Sequence, residues 1–319
     1  MAGNLFKERI YQPTTEELDV WLETNFFLFG LSDPMKQAVV KMKYRSELHN
    51  ISIVELYDNL KKIGHASIIK QEMYLNKNLV SIGFMTNVYV YPEYRGRKLL
   101  IHLISAIEKT SQNLQLAAII VIARRQVKDM YYKFGYEGFS IFPDIVLQHS
   151  YNHGIELENQ LSEFNLNDIN KAYLATYSSL DGTLLRNDKY WNSIKKAIEV
   201  GIYSFLKVEE GNRYIYQISR DGTVLEAAGD IELLQNMLKK TNNITFKITH
   251  NHPFFNFLSK NGGVYSFRPE KKEGHLIKTV SKESILSGYL DSLALDNQFI
   301  SSNDIIKRNT LNIIELNEW

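Results

Sequence analysis

The sequence has no cysteine among its 319 residues, which excludes disulfides, thiolate metal ligands and a cysteine nucleophile. No apolar run approaches the roughly 18 residues of a membrane-spanning helix, and residues 1–12 lack the apolar core of a signal peptide. The charges nearly cancel, with 37 basic and 36 acidic residues and a net charge of +1. No overall field therefore favours nucleic acid or an anionic membrane. We expect a cytoplasmic protein with neither as a partner.

Two nucleotide-binding signatures are also missing, since neither Gly-x-x-x-x-Gly-Lys-Ser/Thr nor Gly-x-Gly-x-x-Gly occurs. His250 and His252 would point the same way from a strand, but no third ligand is evident, so we predict no metal site. The length of the chain and its 44% apolar residues are enough for two domains with real cores. The sequence does not decide between a monomer and a homo-oligomer.

The most informative stretch is residues 87–100, which predicts a strand, a basic turn and the start of a helix. Val88 and Val90 alternate with Tyr89 in a β-type run, and Pro92 removes a backbone donor, so strand pairing should stop there. Apolar residues then recur from Leu99 at helical spacing. The turn should therefore lie at a helix N-terminus, where unpaired N–H groups favour a phosphate. A solvated basic turn is the plainer alternative.

A second informative stretch follows the apolar run 116–123, which predicts a buried strand. It reads Met130-Tyr131-Tyr132-Lys133-Phe134-Gly135-Tyr136.

Together these two stretches resemble the GNAT acetyltransferase superfamily. The run Arg95-Gly96-Arg97-Lys98-Leu99-Leu100 resembles its pyrophosphate-binding loop, with Lys98 and Leu100 at positions where glycine is usual. A bulky residue at Leu100 is the pattern of the Eis-like branch. The form Tyr-x-x-Phe-Gly-Tyr at residues 131–136 also resembles that branch.

The resemblance implies acetyl-CoA as cosubstrate and a set of residues that bind it. The pantetheine arm would pair with the backbone of the strand, and the pyrophosphate would bind the turn. The residues implied are Val88, Tyr89, Val90, Arg95, Gly96, Arg97, Lys98, Leu99, Leu100 and Ile101.

The resemblance also places Tyr131 on the catalytic tyrosine of the family. A phenol with a pKa of about 10 can donate a proton to the departing CoA thiolate, so Tyr131 would be the general acid. Alternatively, Tyr131 is a half-buried aromatic that fills the groove between helix and sheet. The general base implied by the Eis-like branch is the C-terminal carboxylate, here Trp319. The plainer alternative is that Trp319 ends a surface strand.

The second half of the chain predicts another α/β unit. Helices are expected at 166–180, 190–200 and 231–240, with strands at 202–208, 213–226, 244–249 and 263–267. We predict a mixed α/β fold of two GNAT-like units, each a mostly antiparallel sheet flanked by helices. The units should span residues 1–150 and 155–270, and a short extension should span 271–319. The second unit has no Arg-Gly turn, so it should not bind CoA.

The sequence therefore predicts an acetyl-CoA-dependent N-acetyltransferase that acts on a primary amine. The acceptor is either a small molecule or a lysine side chain. The alternative is a non-catalytic module on the same scaffold that binds CoA or another protein, and Lys98 in a glycine position supports it.

Overall fold

The structure is a computed structural model that describes residues 6–75, 78–124, 127–138, 143–147, 164–180, 182–239, 245–248, 252–261, 263–267 and 273–280. Its helices are α1 (Thr15–Phe29), α2 (Pro34–Ser46), α3 (Leu99–Asn113), α4 (Lys128–Tyr132), α5 (Leu166–Tyr177), α6 (Asp188–Glu199), α7 (Leu234–Lys239) and α8 (Phe255–Lys260). Short 3₁₀ turns lie at Leu48–Asn50, Pro92–Tyr94 and Ile231–Leu233.

Its strands are β1 (Lys7–Tyr11), β2 (Ile51–Asp58), β3 (Lys61–Leu75), β4 (Asn78–Val90), β5 (Ala118–Arg124), β6 (Glu137–Gly138), β7 (Pro143–Leu147), β8 (Thr183–Leu184), β9 (Ser204–Glu210), β10 (Arg213–Arg220), β11 (Thr223–Gly229), β12 (Thr245–Lys247), β13 (Gly263–Phe267) and β14 (Glu273–Thr279). The Trp319 carboxylate and the predicted boundary at 150–155 lie outside the described residues.

The strands form two sheets, each flanked by helices, which confirms the predicted mixed fold. The first has the order β1-β2-β3-β4-β5-β14-β6, with β8 paired to β3, and the second has the order β13-β7-β12-β11-β10-β9. Among the described strands, pairing is parallel only between β4 and β5 and between β11 and β12. These two parallel pairs occupy corresponding positions in the two sheets.

Each sheet contains one strand from outside the part of the chain assigned to it. β7 belongs to residues 1–150 by sequence, yet it pairs with β12 and β13 of the second sheet. β14 belongs to the predicted extension 271–319, yet it lies between β5 and β6 of the first sheet. Neither sheet is therefore built from one continuous part of the chain, and we call β7 and β14 the exchanged strands. Hydrophobic patterning predicts a strand but carries no information on which distant edge the strand joins.

One predicted strand, 213–226, is wrong, because the structure divides it into β10 and β11. Asp221 and Gly222 both have positive φ, at 50° and 75°, and form a two-residue hairpin turn between the strands. An Asp-Gly pair is a strong hairpin signal and could have been recognised from the sequence.

The first unit packs helices on both faces of its sheet. On one face α3 buries Leu99, Leu103 and Ile107 against β2, β3, β4 and β5, as its helical spacing predicts. On the other face α1 buries Leu18 and Trp21 together with residues of α2. The start of α1 is a complete capping box, because Thr14 and Glu17 satisfy each other's backbone N–H groups. The first sheet is thus held in place by helices on both of its faces.

Two histidines are buried in these cores. Burial lowers the pKa of His65 to about 4 and the pKa of His252 to about 3. The Nδ1 atom of His252 accepts a hydrogen bond from the backbone N–H of Phe254 at 3.0 Å. Both rings are therefore neutral in the folded protein at pH 7.

We expect acid to destabilise the fold through His252. The unfolded chain binds a proton near pH 6.5, whereas the folded chain does not until about pH 3, so stability falls as the pH drops between these values. Between pH 7 and pH 5 the free energy of unfolding should fall by about 2 kcal/mol more in the parent than in His252→Asn. The asparagine keeps a hydrogen-bond acceptor for the Phe254 N–H. Urea unfolding at both pH values measures this difference. The exposed His49→Asn is the control, and equal losses in the parent and His252→Asn would contradict the prediction.

Candidate functional site

The site is organised by the separation of β4 from β5. The two strands pair from Ile82 to Met85 on β4 and from Ala118 to Val121 on β5. Although both strands continue, to Val90 and Arg124, no further pairing joins them in the described part of the chain. The edge of β4 that faces β5 therefore offers its backbone N–H and C=O groups beyond Met85, as the strand between Val88 and Val90 was expected to do.

A β-bulge coincides with this separation. On β3, His65 pairs with Tyr89 and Ser67 pairs with Thr86, so two residues of β4 oppose the single residue Ala66. Asn87, inside the bulge, has φ = 53°. Its side-chain amide donates to the Tyr44 hydroxyl on α2 at 2.7 Å. Asparagine tolerates positive φ better than most residues, so Asn87 and its contact with Tyr44 stabilise the bend.

After β4 the chain turns through Pro92–Tyr94 and enters α3 through two left-handed residues. Gly96 has φ = 78°, and Lys98, the N-cap of α3, has φ = 60° and ψ = 20°. After the N–H of Arg95, which donates to the Pro92 carbonyl, the next backbone N–H that donates within the described chain is that of Ile101, to the Lys98 carbonyl at 3.0 Å. The amides of residues 96–100 have no acceptor among the described residues. Five successive donors thus remain for an anion at the start of a 15-residue helix.

The basic side chains of the turn differ in their contacts with the rest of the protein. The Arg95 Nε atom donates to the Val90 carbonyl at 3.1 Å, and its guanidinium lies 5.6 Å from the Tyr89 ring centroid. The Arg97 guanidinium lies 5.1 Å from the Tyr94 ring. Arg97 and Lys98 are exposed. Arg95 therefore secures the end of β4, and Arg97 and Lys98 supply the accessible positive charge.

The other predicted cofactor residues fall into two groups. Val88 and Val90 pack against the apolar cluster under α3, which also contains Leu99 and Leu100. Tyr89 faces the opposite side of the sheet, where its ring stacks on His65 at 5.8 Å. Tyr89 can therefore contribute only its backbone on the α3 side. Ile101 is exposed on the first turn of α3.

Tyr131 lies in the same apolar cluster as Val88 and Val90, on α4 beyond the end of β5. Its ring is 5% exposed and packs edge-to-face on Tyr136 at 5.6 Å. Burial raises the pKa of its phenol to about 12, so the group keeps its proton at neutral pH. Tyr131 thus belongs to the apolar cluster against which Val88 and Val90 pack, while Tyr132 is 45% exposed.

Sequence reasoning missed two contributors to this region, Lys278 on β14 and Asn87 on β4. The Lys278 Nζ atom donates to Glu108 on α3 and to the Phe134 carbonyl after α4, both at 2.6 Å. No local motif marks this lysine, because its role depends on the exchange of β14 into the first sheet. Asn87, by contrast, could have been noticed, since asparagine is unfavourable within a strand and common at positive φ.

The second unit closes the corresponding region. On β11, beyond the residues that pair with the described part of β12, the Tyr177 hydroxyl donates to the Ala227 carbonyl at 2.9 Å and accepts from the Ala227 N–H at 3.3 Å. The turn after β11 carries Asp230 and Glu232, which pair with Arg213. The Glu232 amide is already capped by the Asp230 side chain at 2.9 Å. Two carboxylates thus stand where the first unit has cations and free amides.

The described residues hold no group of three or more His, Cys, Asp or Glu side chains arranged to bind a metal. Within the same residues, no helix is long and apolar enough to span a membrane.

Comparisons with known proteins agree with this architecture. The model of a family described as an acetyltransferase (GNAT) domain matches residues 9–139. Among curated proteins, none matches the sequence.

Three solved structures share the fold over most of the chain. A conserved protein from Enterococcus faecalis V583, described as a probable N-acyltransferase, is 10% identical, with a TM-score of 0.63, and the match covers 86% of this chain and 73% of that one. A GCN5-related N-acetyltransferase from Anabaena variabilis is 16% identical, with a TM-score of 0.62 and the same coverages. Eis1 from Mycobacterium abscessus is 12% identical, with a TM-score of 0.61, and the match covers 88% and 74%. At these identities the likeness concerns the fold.

The left-handed backbone of Lys98 leads to a stability prediction. Glycine adopts this conformation without strain but loses more freedom on folding, so Lys98→Gly should change the free energy of unfolding by less than about 1 kcal/mol. A β-branched residue is strained in this conformation, so Lys98→Val should lower the free energy of unfolding by about 1–2 kcal/mol. Urea unfolding of the three proteins measures both effects. A Lys98→Val protein as stable as the parent would show that the residue does not require positive φ.

Proposed function

We propose that the chain transfers an acetyl group from acetyl-CoA to a primary amine, because the model of a GNAT acetyltransferase domain matches residues 9–139. The observation that carries the proposal is the combination of the separated edge of β4 with the free amides of residues 96–100. A free strand edge can pair with an amide-bearing arm, and a helix N-terminus can bind a pyrophosphate. Here the two follow each other along the chain, which suits a ligand that has both groups.

The phosphate end of CoA would bind the turn. The amides from Gly96 to Leu100 point their dipoles at the ligand, and Arg97 and Lys98 add exposed positive charge beside them. Gly96 meets no atom within 4 Å of where a side chain would begin, so the backbone there is open to close approach. The left-handed conformation of Lys98 supports binding despite the missing glycine, because the backbone keeps the shape that glycine would give it.

The acyl end would lie along β4. The backbone of Val88 and Val90 can pair with the amides of the pantetheine arm, and a free N–H beyond the bulge can polarise the thioester carbonyl. The amine then attacks that carbonyl carbon, and the C–S bond breaks with its electron pair on sulfur. Tyr131 would donate its proton to this thiolate, and its raised pKa keeps the phenol protonated at neutral pH before the C–S bond breaks.

The amine must also lose a proton, and the carboxylate of Trp319 is the base that the Eis-like resemblance implies. The near-zero net charge does not choose among aminoglycosides, polyamines and lysine side chains.

Binding and turnover together test the proposal. Calorimetry with CoA measures binding, and release of the free thiol from acetyl-CoA measures transfer to a panel of kanamycin, spermidine and a lysine-containing peptide. Binding with thiol release that depends on an amine supports the enzyme. Binding without turnover on any amine would favour the non-catalytic module, and no heat with CoA would overturn both.

Arg97→Ala should weaken CoA binding. The change removes an exposed cation beside the phosphate-binding amides, and the loss of one charged contact corresponds to a Kd about 5- to 30-fold higher. Titration calorimetry at fixed salt measures the two constants. Arg220→Ala, an exposed arginine on β10 of the second unit, is the matched control and should bind as the parent does. Equal constants for Arg97→Ala and the parent would argue against phosphate binding at this turn.

Tyr131→Phe should lower kcat about 100-fold while the KM for acetyl-CoA changes less than about twofold, because the lost proton acts only as the C–S bond breaks. With a phenol pKa of about 12, kcat of the parent should not fall between pH 8 and pH 10. The Tyr132→Phe protein serves as control with nearly parental kcat. A Tyr131→Phe protein of full activity would rule out the proposed acid.

A further inference from the structure

Lys278 connects three parts of the first unit that are far apart in sequence. It lies on β14, opposite Ile119 of β5, and the same strand pairs with β6 through Leu276 and Ile277. Its ammonium donates at 2.6 Å to the Glu108 carboxylate on α3 and at 2.6 Å to the Phe134 carbonyl. One side chain thus joins the exchanged strand, the helix behind the phosphate-binding turn and the turn that ends α4.

The turn held by Lys278 is the one that positions Tyr131. The N–H groups of Phe134 and Tyr136 both donate to the Tyr131 carbonyl, at 2.9 and 3.2 Å. The Lys278 ammonium also lies 5.7 Å from the Tyr136 ring, which packs on Tyr131. Movement of this turn would therefore move the Tyr131 ring.

The short helix that carries Tyr131 needs such a support. α4 has five residues, and a helix of that length is not stable by its own hydrogen bonds. The Lys278 and Glu108 side chains are only 27% and 28% exposed, so their ion pair is less screened than a fully exposed one. A charge-assisted bond to the Phe134 carbonyl then fixes the C-terminal end of α4 directly.

We infer that Lys278 is a positioning residue for acyl transfer, which holds Tyr131 against the acyl end of the site through Phe134 and Tyr136. The inference rests on the proposed function, in which Tyr131 is the proton donor. It makes the activity of the first unit depend on a residue that follows the second unit in the chain.

Hydrogen exchange of the full chain tests the positioning without an acceptor. In Lys278→Met, the amides of residues 130–136 should exchange about tenfold faster than in the parent, because the turn loses its external bonds. Lys278→Arg can donate to both acceptors and should exchange as the parent does. Lys196→Met breaks the Lys196–Glu199 pair on α6 and is the matched control. Parental exchange in Lys278→Met would overturn the inference.

Kinetics then test whether the position matters for the reaction. With the panel amine of highest turnover, Lys278→Met should lower kcat about tenfold and leave the KM for acetyl-CoA within about twofold, and Lys278→Arg should restore most of kcat. In a protein that already carries Tyr131→Phe, Lys278→Met should lower kcat by a further factor of less than about two, because the two residues act through the same step. If Lys278→Met alone does not fold, Lys278→Met with Glu108→Gln removes the unpaired charge and is measured instead.

The outcomes separate the inference from the proposed function. A large effect of Tyr131→Phe together with an unchanged or fully additive effect of Lys278→Met would overturn only the positioning role. Full activity in Tyr131→Phe would overturn the proposed proton donor, and the role of Lys278 with it. A CoA-binding protein that turns over no amine would do the same.

Discussion

The candidate site depends on one constraint, the interruption of pairing between β4 and β5. A parallel pair that continued to Val90 would use the backbone groups of β4 in the sheet and leave none for a ligand. The bulge at Asn87 changes the course of β4 at the point where pairing stops, and the Asn87–Tyr44 bond connects that bend to α2. The basic turn at residues 95–98 follows a few residues later, because β4 ends at Val90 and the turn at Pro92–Tyr94 leads from there into α3. The strand edge and the helix N-terminus are therefore set by one local irregularity.

The exchange of β7 and β14 makes the two units interdependent. β14 lies between two strands of the first sheet and β7 between two strands of the second, although each comes from a distant part of the chain. Neither sheet is therefore complete without both parts of the chain. Further contacts reinforce the association. β8 pairs with β3, Val39 of α2 packs in the core of the second unit, and the Lys43 ammonium lies 5.7 Å from the Tyr190 ring of α6. The contribution of Lys278 to the turn after α4 is one consequence of this arrangement.

The two units differ in whether their parallel strands leave backbone groups free for a ligand. Each sheet has a parallel pair among its described strands, but in the second unit Tyr177 satisfies the backbone of β11 at Ala227 and Asp230 caps the following turn. Its interior instead holds a buried ion pair between Arg186 and Glu226, at 2.7 Å, under aromatic rings. Removal of either charge would leave the other unpaired in the core, so this pair specifies the interior arrangement of the unit and offers nothing to a ligand.

The sequence by itself determined the elements and the chemistry that local order can encode. Alternation of apolar residues identified β4, helical spacing identified α3, and the Arg-Gly turn between them marked an anion site, because each depends on residues within a few positions of one another. Only the tertiary structure decided which strands pair, that β4 leaves β5 at Met85, that Lys98 takes the left-handed conformation, and that Lys278 reaches Phe134. These features depend on contacts between residues far apart in the chain, and a pattern read along one segment does not contain its distant partner.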